Sequence, residues 1–180
     1  MFEIIETGLE GCLELIARRH EDARGRFVKT MHAEFFKQHN LNTAFVEQYY
    51  TISVRGTLRG LHFQTPPHDH DKLVICSDGE VFDVVVDLRR KSPTFGEHRV
   101  FNLSAAGANQ IYIPAGLAHG FYTKSEQATL IYNVTSVHNG AHDAGIHHAS
   151  VGISWPAEDI IISERDANLP PLNAYDSPFA

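Results

Sequence analysis

Between residues 43 and 135 the apolar residues fall into runs of about five to eight, rich in Val, Ile, Phe and Tyr and cut by Gly, Pro, Asp, Asn and Ser. Segments so short and so regularly interrupted cannot build long helices, so this rhythm limits the fold more than any other feature. Val81–Leu88 is the clearest segment. One of its faces carries Val81, Asp83, Val85 and Asp87, and the other carries Phe82, Val84, Val86 and Leu88. Leu73–Cys76, Arg99–Leu103, Gln110–Ile113, Gly120–Thr123 and Thr129–Val134 read as strands too, and Asp78-Gly79 reads as a tight turn between two of them. Many short strands at this spacing predict an all-β sandwich, jelly roll or barrel. Helical pattern is confined to Ala33–His39 and a turn or two after Pro156, which does not fit a parallel α/β fold. The 180 residues suit one domain, 1–180.

No apolar run approaches the roughly 20 residues that span a bilayer, and no basic-then-apolar leader opens the chain, so neither a membrane partner nor a signal peptide is expected. The two cysteines, Cys12 and Cys76, suggest no disulfide framework, and Cys76 reads as a small buried hydrophobe. A reducing cytoplasm is the expected location. A net charge of −7 argues against nucleic acid as a partner. It leaves room for a small phosphorylated ligand held by a few arginines. Of the 12 histidines, His138, His142, His147 and His148 lie in a polar stretch that reads as solvated loop.

Two segments carry possible chemistry. One is Arg59-Gly60-Leu61-His62-Phe63-Gln64, followed by Lys72 and Gly79. The other is Ile113-Pro114-Ala115-Gly116-Leu117-Ala118-His119-Gly120-Phe121. Together they resemble the two motifs of the cupin superfamily, which implies a jelly-roll β-barrel. Metal-binding cupins supply two His and a Glu from the first motif and a His from the second. Here His62 and His119 stand in their places, but Gln64 replaces the second His and Lys72 the Glu. An ammonium group repels a divalent ion and an amide ligates it weakly, so no metal is expected at this site. His68-Asp69-His70-Asp71 is a rival metal candidate, but it follows Pro66-Pro67 and reads as exposed loop. A barrel interior with His62, Lys72, His119 and Arg59 suits proton removal next to a carbonyl. The histidine would be the base and the lysine would hold the enolate charge. Inversion also needs an acid on the other face. Tyr132 could serve, although a buried strand tyrosine reads equally well as a core residue.

Taken in order, further segments resemble the dTDP-4-dehydrorhamnose 3,5-epimerase family from about residue 12 to 172. They are Asp22-Ala23-Arg24-Gly25-Arg26-Phe27, Gly56–Gln64, Lys72-Leu73-Val74, Val84–Arg89, Ser92–Gly96, the second motif, Tyr132, Trp155-Pro156 and Ser163-Glu164-Arg165-Asp166. The resemblance implies a jelly-roll homodimer that needs no cofactor and binds a nucleotide-diphosphate sugar. It implies His62 as base, Asp166 as the carboxylate that orients it, Tyr132 as acid and Lys72 beside the keto oxygen. Arg24 and Arg59 would hold the diphosphate and Phe27 would pack on the nucleotide base. Read without the resemblance, Arg24 is a surface ion pair with Asp22, Phe27 a core residue and Asp166 a helix cap.

The chain also departs from the family. Glu47-Gln48-Tyr49 stands where Gln-x-Asn is usual, and His138 replaces a second tyrosine six residues after Tyr132. The stretch ending His147-His148-Ala149-Ser150 is about two residues short. Glu47, His119 and His138 are therefore candidate substrate contacts, and the departures bear on substrate recognition. The expected activity is epimerisation at C3, C5 or both of a nucleotide-linked 4-keto-6-deoxyhexose. A single-carbon epimerase, a metal-dependent oxygenase and a non-catalytic sugar-nucleotide binder are the rivals.

Overall fold

The structure, a computed structural model, describes residues 1–156 and 159–180. It is built from thirteen strands: β1 (Phe2–Glu6), β2 (Leu13–Ala17), β3 (Arg19–Asp22), β4 (Gly25–Val28), β5 (Glu47–Val54), β6 (Leu58–Gln64), β7 (Lys72–Asp78), β8 (Glu80–Asp87), β9 (His98–Ser104), β10 (Asn109–Ile113), β11 (Leu117–Thr123), β12 (Gln127–Val134) and β13 (Asp143–Gly145). Helix α1 (Ala33–Gln38) precedes β5, and α2 (Glu164–Ala167) and a 3-10 turn (Leu172–Ala174) lie in the tail. Two antiparallel sheets face each other. The larger has the order β1-β2-β10-β7-β12-β5 and the smaller β13-β6-β11-β8-β9, while β3 and β4 form a separate hairpin. This is the jelly-roll arrangement expected for an all-β chain of this rhythm.

Three apolar layers hold the sheets. Val74, Cys76, Val85, Phe121, Leu130 and Tyr132 pack between them. Phe36 of α1 covers Leu15, Leu73 and Tyr112 on the outer face of the larger sheet. Ile146, Ile153 and Phe179 cover Val84, Val86 and Leu88 on the outer face of the smaller. Both faces of β8 are therefore buried, which explains why Val84-Val85-Val86 runs apolar without a break. Asp87, also buried, accepts from Arg89, Ser92 and Thr94. Burial opposes its ionisation, but those bonds outweigh it and hold the pKa at about 2. The Asp87-Leu88-Arg89 and Ser92-Pro93-Thr94 segments are thus one structural corner.

The Asp78-Gly79 turn is present, but the strands it joins lie in different sheets, so it is a crossing and not a hairpin. Gly79 has φ +75, and a Cβ there would lie 2.1 Å from the Gln127 carbonyl oxygen. The helix over Ala33–His39 forms, ending one residue sooner. Strands β1 to β4 lie outside the stretch in which the alternation is legible.

Candidate active site

The site lies between the sheets, where β6 meets β11 on one side and β5, β12 and β7 line the other. Strand β6 brings His62 beside His119 of β11. A close backbone approach makes this possible. Gly60 has φ +126, and a Cβ there would sit 2.6 Å from the Gly120 Cα.

The imidazole of His62 meets Asp166 at 2.7 Å through Nε2. The other carboxylate oxygen of Asp166 accepts the Gly60 amide at 3.0 Å. Burial works against the charge on Asp166, yet His62, the Gly60 amide and Arg165 together hold its pKa below the usual carboxylate range. A carboxylate only accepts, so Nε2 of His62 carries the proton and Nδ1 keeps the lone pair of a base. Asp166 belongs to α2, whose cap is the Ser163 hydroxyl. Its own side chain is therefore free to orient His62.

Lys72 begins β7 and is 6% exposed. Its ammonium donates to the His62 carbonyl at 3.2 Å. Burial lowers its pKa to about 8, against the pull of Asp143 and Asp83. Tyr132 of β12 is buried in the same chamber. Burial first, then Asp83 and Tyr49, raise its pKa well above the ordinary value, so the phenol stays protonated. A second His–Asp pair lies deeper. Nε2 of His119 meets Asp83 Oδ2 at 2.7 Å, and both residues are buried. Burial raises the Asp83 pKa although His119 opposes the shift. Asp83 reads in the sequence only as one position on a strand face. Its pairing depends on β8 and β11 lying side by side, which no local pattern signals.

A base fixed in one tautomer, a buried cation beside it and a protonated phenol in one chamber can move a proton on and off a carbon flanked by a carbonyl. Known proteins place the chain. Residues 6–174 match the model of the dTDP-4-dehydrorhamnose 3,5-epimerase family. The chain belongs to that family. An enzyme of that name from Methanothermobacter thermautotrophicus is 40% identical over 176 residues, covering 95% of each chain. The solved dTDP-6-deoxy-D-glucose-3,5-epimerase of Legionella pneumophila, in complex with dTDP-4-keto-L-rhamnose, superposes with a TM-score of 0.93 at 34% identity. That match covers 98% of this chain and 95% of the other. A dTDP-4-dehydrorhamnose 3-epimerase from Streptomyces niveus is 35% identical over 162 residues, covering 88% of this chain and 78% of its own.

Against this epimerase family, most of the residues singled out in the sequence converge. His62, Lys72, Tyr132, His119 and Arg59 line one chamber, and Asp166 stands behind His62. Arg59 is held by a bond from Nε to the Ser53 hydroxyl. Glu47 and His138 lie together at the mouth, where the Glu47 carboxylate accepts the His138 amide at 2.9 Å. Arg24 and Phe27 are elsewhere. They sit on the β3–β4 hairpin, where Arg24 pairs with Asp22 and its side chain is 90% exposed. Phe27 is 61% exposed, so it is no core residue.

Two loop readings need correction. The His68–Asp71 stretch is not solvated surface. Asp71 accepts from the Tyr112 hydroxyl and the Ala115 amide, and His70 packs against Gln64 and Ser136. Burial and the Lys72 charge lower the His70 pKa to about 3, so the ring is neutral. His142 is likewise packed, bonded to Thr65 and tilted against the His68 ring, and His147 and His148 are partly buried; His138 alone of the four is exposed. A polar side chain need not be a wet one: Gln64 gathers this loop by donating to the His68 carbonyl and accepting the Asn139 amide. Gln64 is therefore a latch, and Lys72 brings a positive charge into the chamber beside it.

Among the described residues no group of three or more His, Cys, Asp and Glu is arranged to hold a metal ion. Among them, too, no helix is long and apolar enough to cross a membrane.

Proposed function

We propose that this chain inverts C3 and C5 of a dTDP-linked 4-keto-6-deoxyhexose, converting dTDP-4-dehydro-6-deoxy-D-glucose to dTDP-4-dehydro-L-rhamnose. The observation that carries this reading is the convergence of the His62–Asp166 pair, the buried Lys72 ammonium and the Tyr132 phenol on one chamber. Nδ1 of His62 takes a proton from the carbon next to the ketone. The electron pair moves onto the carbonyl oxygen as an enolate, and the Lys72 cation holds that charge. Asp166 stabilises the imidazolium. As the enolate collapses, Tyr132 gives a proton to the opposite face of the carbon, and solvent resets both groups. Every step is a proton transfer, from carbon to His62 and from the Tyr132 hydroxyl to carbon, with no net oxidation or reduction, so no redox cofactor is required.

The reading includes a homodimer. The β3–β4 hairpin carries Arg24 and Phe27, the expected diphosphate and base contacts, and presents both to solvent away from its own chamber. Edge strand β5 also exposes Tyr50, Ile52 and Val54 on one face. An apolar edge of that kind favours burial against a second copy, which would bring each hairpin to the partner's chamber. The two free, buried cysteines are in keeping with a reducing cytoplasm.

The test is deuterium incorporation from D₂O into dTDP-4-keto-6-deoxyglucose, followed by NMR. Exchange at C3 and C5 that falls by about 10² to 10⁴-fold in a folded His62→Ala variant supports the reading. Exchange at one carbon makes the protein a single-carbon epimerase like its Streptomyces niveus relative. Near-normal turnover of the variant removes His62 as base.

A further inference from the structure

The chamber has two compartments. The inner, about 160 Å³, is lined by Thr51, Arg59, His119, Phe121 and Tyr132. The outer, about 290 Å³, is lined by Glu47, Gln64, His70, His138, Asp143 and Arg165. Three side chains line both: His62, Lys72 and Tyr49. The first two are the base and the cation. The third has no part in the reaction as written above, and it stands where the family usually has asparagine.

Tyr49 lies directly opposite Tyr132 across the β5–β12 ladder. Their rings are stacked, 14° from parallel with centroids 4.8 Å apart. Tyr132 also makes a T-shaped contact with His119, centroids 6.0 Å apart and planes at 69°. The phenol ring thus packs against two other rings, and removing the stacked one opens space in which it can turn. Tyr49 is 40% exposed, yet desolvation by its neighbours, then Glu47 and Asp143, push its pKa up to about 12, so the stack joins two neutral rings at neutral pH. Asparagine cannot make such a stack.

We propose that Tyr49 is a positioning residue that holds the Tyr132 hydroxyl where it can protonate the enolate on the face opposite His62. The proposal rests on the function inferred above. Proton removal needs His62, Asp166 and Lys72, and none of their bonds runs through Tyr49. Delivery to the opposite face needs Tyr132 in place. When Tyr132 is displaced, the enolate still forms, but His62 returns a proton to the side it came from. Solvent deuterium then enters with retained configuration. Loss of the Tyr49 ring therefore separates exchange from inversion.

The experiment compares wild type, Tyr49→Phe and Tyr49→Asn in D₂O with dTDP-4-keto-6-deoxyglucose. NMR counts deuterium in unconverted substrate and in inverted product. Tyr49→Phe keeps the stack and should match wild type within about twofold. In Tyr49→Asn the ratio of exchange with retention to inversion should rise about tenfold, the scale of one aromatic pair, with KM almost unmoved. An unmoved ratio in Tyr49→Asn overturns the proposal. So does a Tyr49→Phe that behaves like Tyr49→Asn, because the hydroxyl and not the ring would then be responsible. Exchange at neither carbon in wild type would sink the functional reading and this inference with it, whereas wild-type exchange with an unmoved ratio sinks the inference alone. A second measurement needs no substrate. In ¹³C-tyrosine-labelled protein the Tyr132 ring signals, identified by their loss in Tyr132→Phe, should keep their ring-current shift in Tyr49→Phe and lose it in Tyr49→Asn. Identical signals in all three proteins would show that Tyr49 holds nothing.

Discussion

Replacing Lys72 with methionine should make the protein more stable while abolishing turnover. Methionine has nearly the volume of the lysine stem and no charge. Lys72 is 6% exposed, and burial takes its pKa from the ordinary 10.5 to about 8. At about 1.4 kcal/mol per pKa unit, holding the ammonium charged in the folded state at pH 7 costs about 3 kcal/mol. The variant loses the bond to the His62 carbonyl, which takes back about 1 kcal/mol. A net gain of about 2 kcal/mol remains, or roughly 4 to 8 °C in Tm for a chain of this size.

The sign with pH follows from the lowered pKa. Between about pH 8 and 10.5 the unfolded wild type binds more protons than the folded form, so wild-type stability rises with pH across that window. The advantage of Lys72→Met should therefore shrink to near zero by about pH 9.5. Urea denaturation of both proteins at pH 7 and 9.5, with exchange assays at pH 7, reads all three quantities. A variant less stable than wild type at pH 7, or an advantage that does not change with pH, would refute the argument that Lys72 is a charge held at a cost.

The same pKa sets the alkaline limb of activity. If the enolate needs the cation, wild-type kcat/KM should fall as pH rises through about 8, read from a profile of kcat/KM against pH. Gly60→Ala should cost more than about 2 kcal/mol, seen as a Tm loss of at least roughly 4 °C, because its Cβ would meet Gly120 at 2.6 Å and the backbone has φ +126. Phe27→Ala should leave Tm unchanged and raise KM about tenfold. If the hairpin serves the partner, mixing Phe27→Ala with His62→Ala subunits should restore one normal site per mixed dimer, whereas a hairpin serving its own chamber would give none.

The strand rhythm was legible because core contacts leave a mark every second residue. Val81, Asp83 and Val85 do face the interior. The hairpin left no such mark, since every residue of Arg19–Asp22 is exposed and no apolar alternation betrays it. The His62–Asp166 contact joins residues 104 apart in sequence. No spacing rule reaches that far, so the family pattern alone indicated it. The loop histidines misled because polarity reports what a side chain can bond to, and not whether water or protein supplies the partner. The Tyr49–Tyr132 stack was hidden for another reason: it requires the register between β5 and β12, which a single strand does not encode.

The tail that delivers Asp166 is also the segment that finishes the smaller sheet's cover. Ile161 is tied to both Gly56 and Leu58, Ser177 bonds the Leu88 carbonyl, and Phe179 is buried beneath them. The segment that covers the sheet is thus the same one that holds the carboxylate against His62. Fold stability and the setting of that imidazole are therefore tied together, and a substitution that loosens Phe179 or Ser177 from the sheet should also slacken the His62–Asp166 contact without touching either residue.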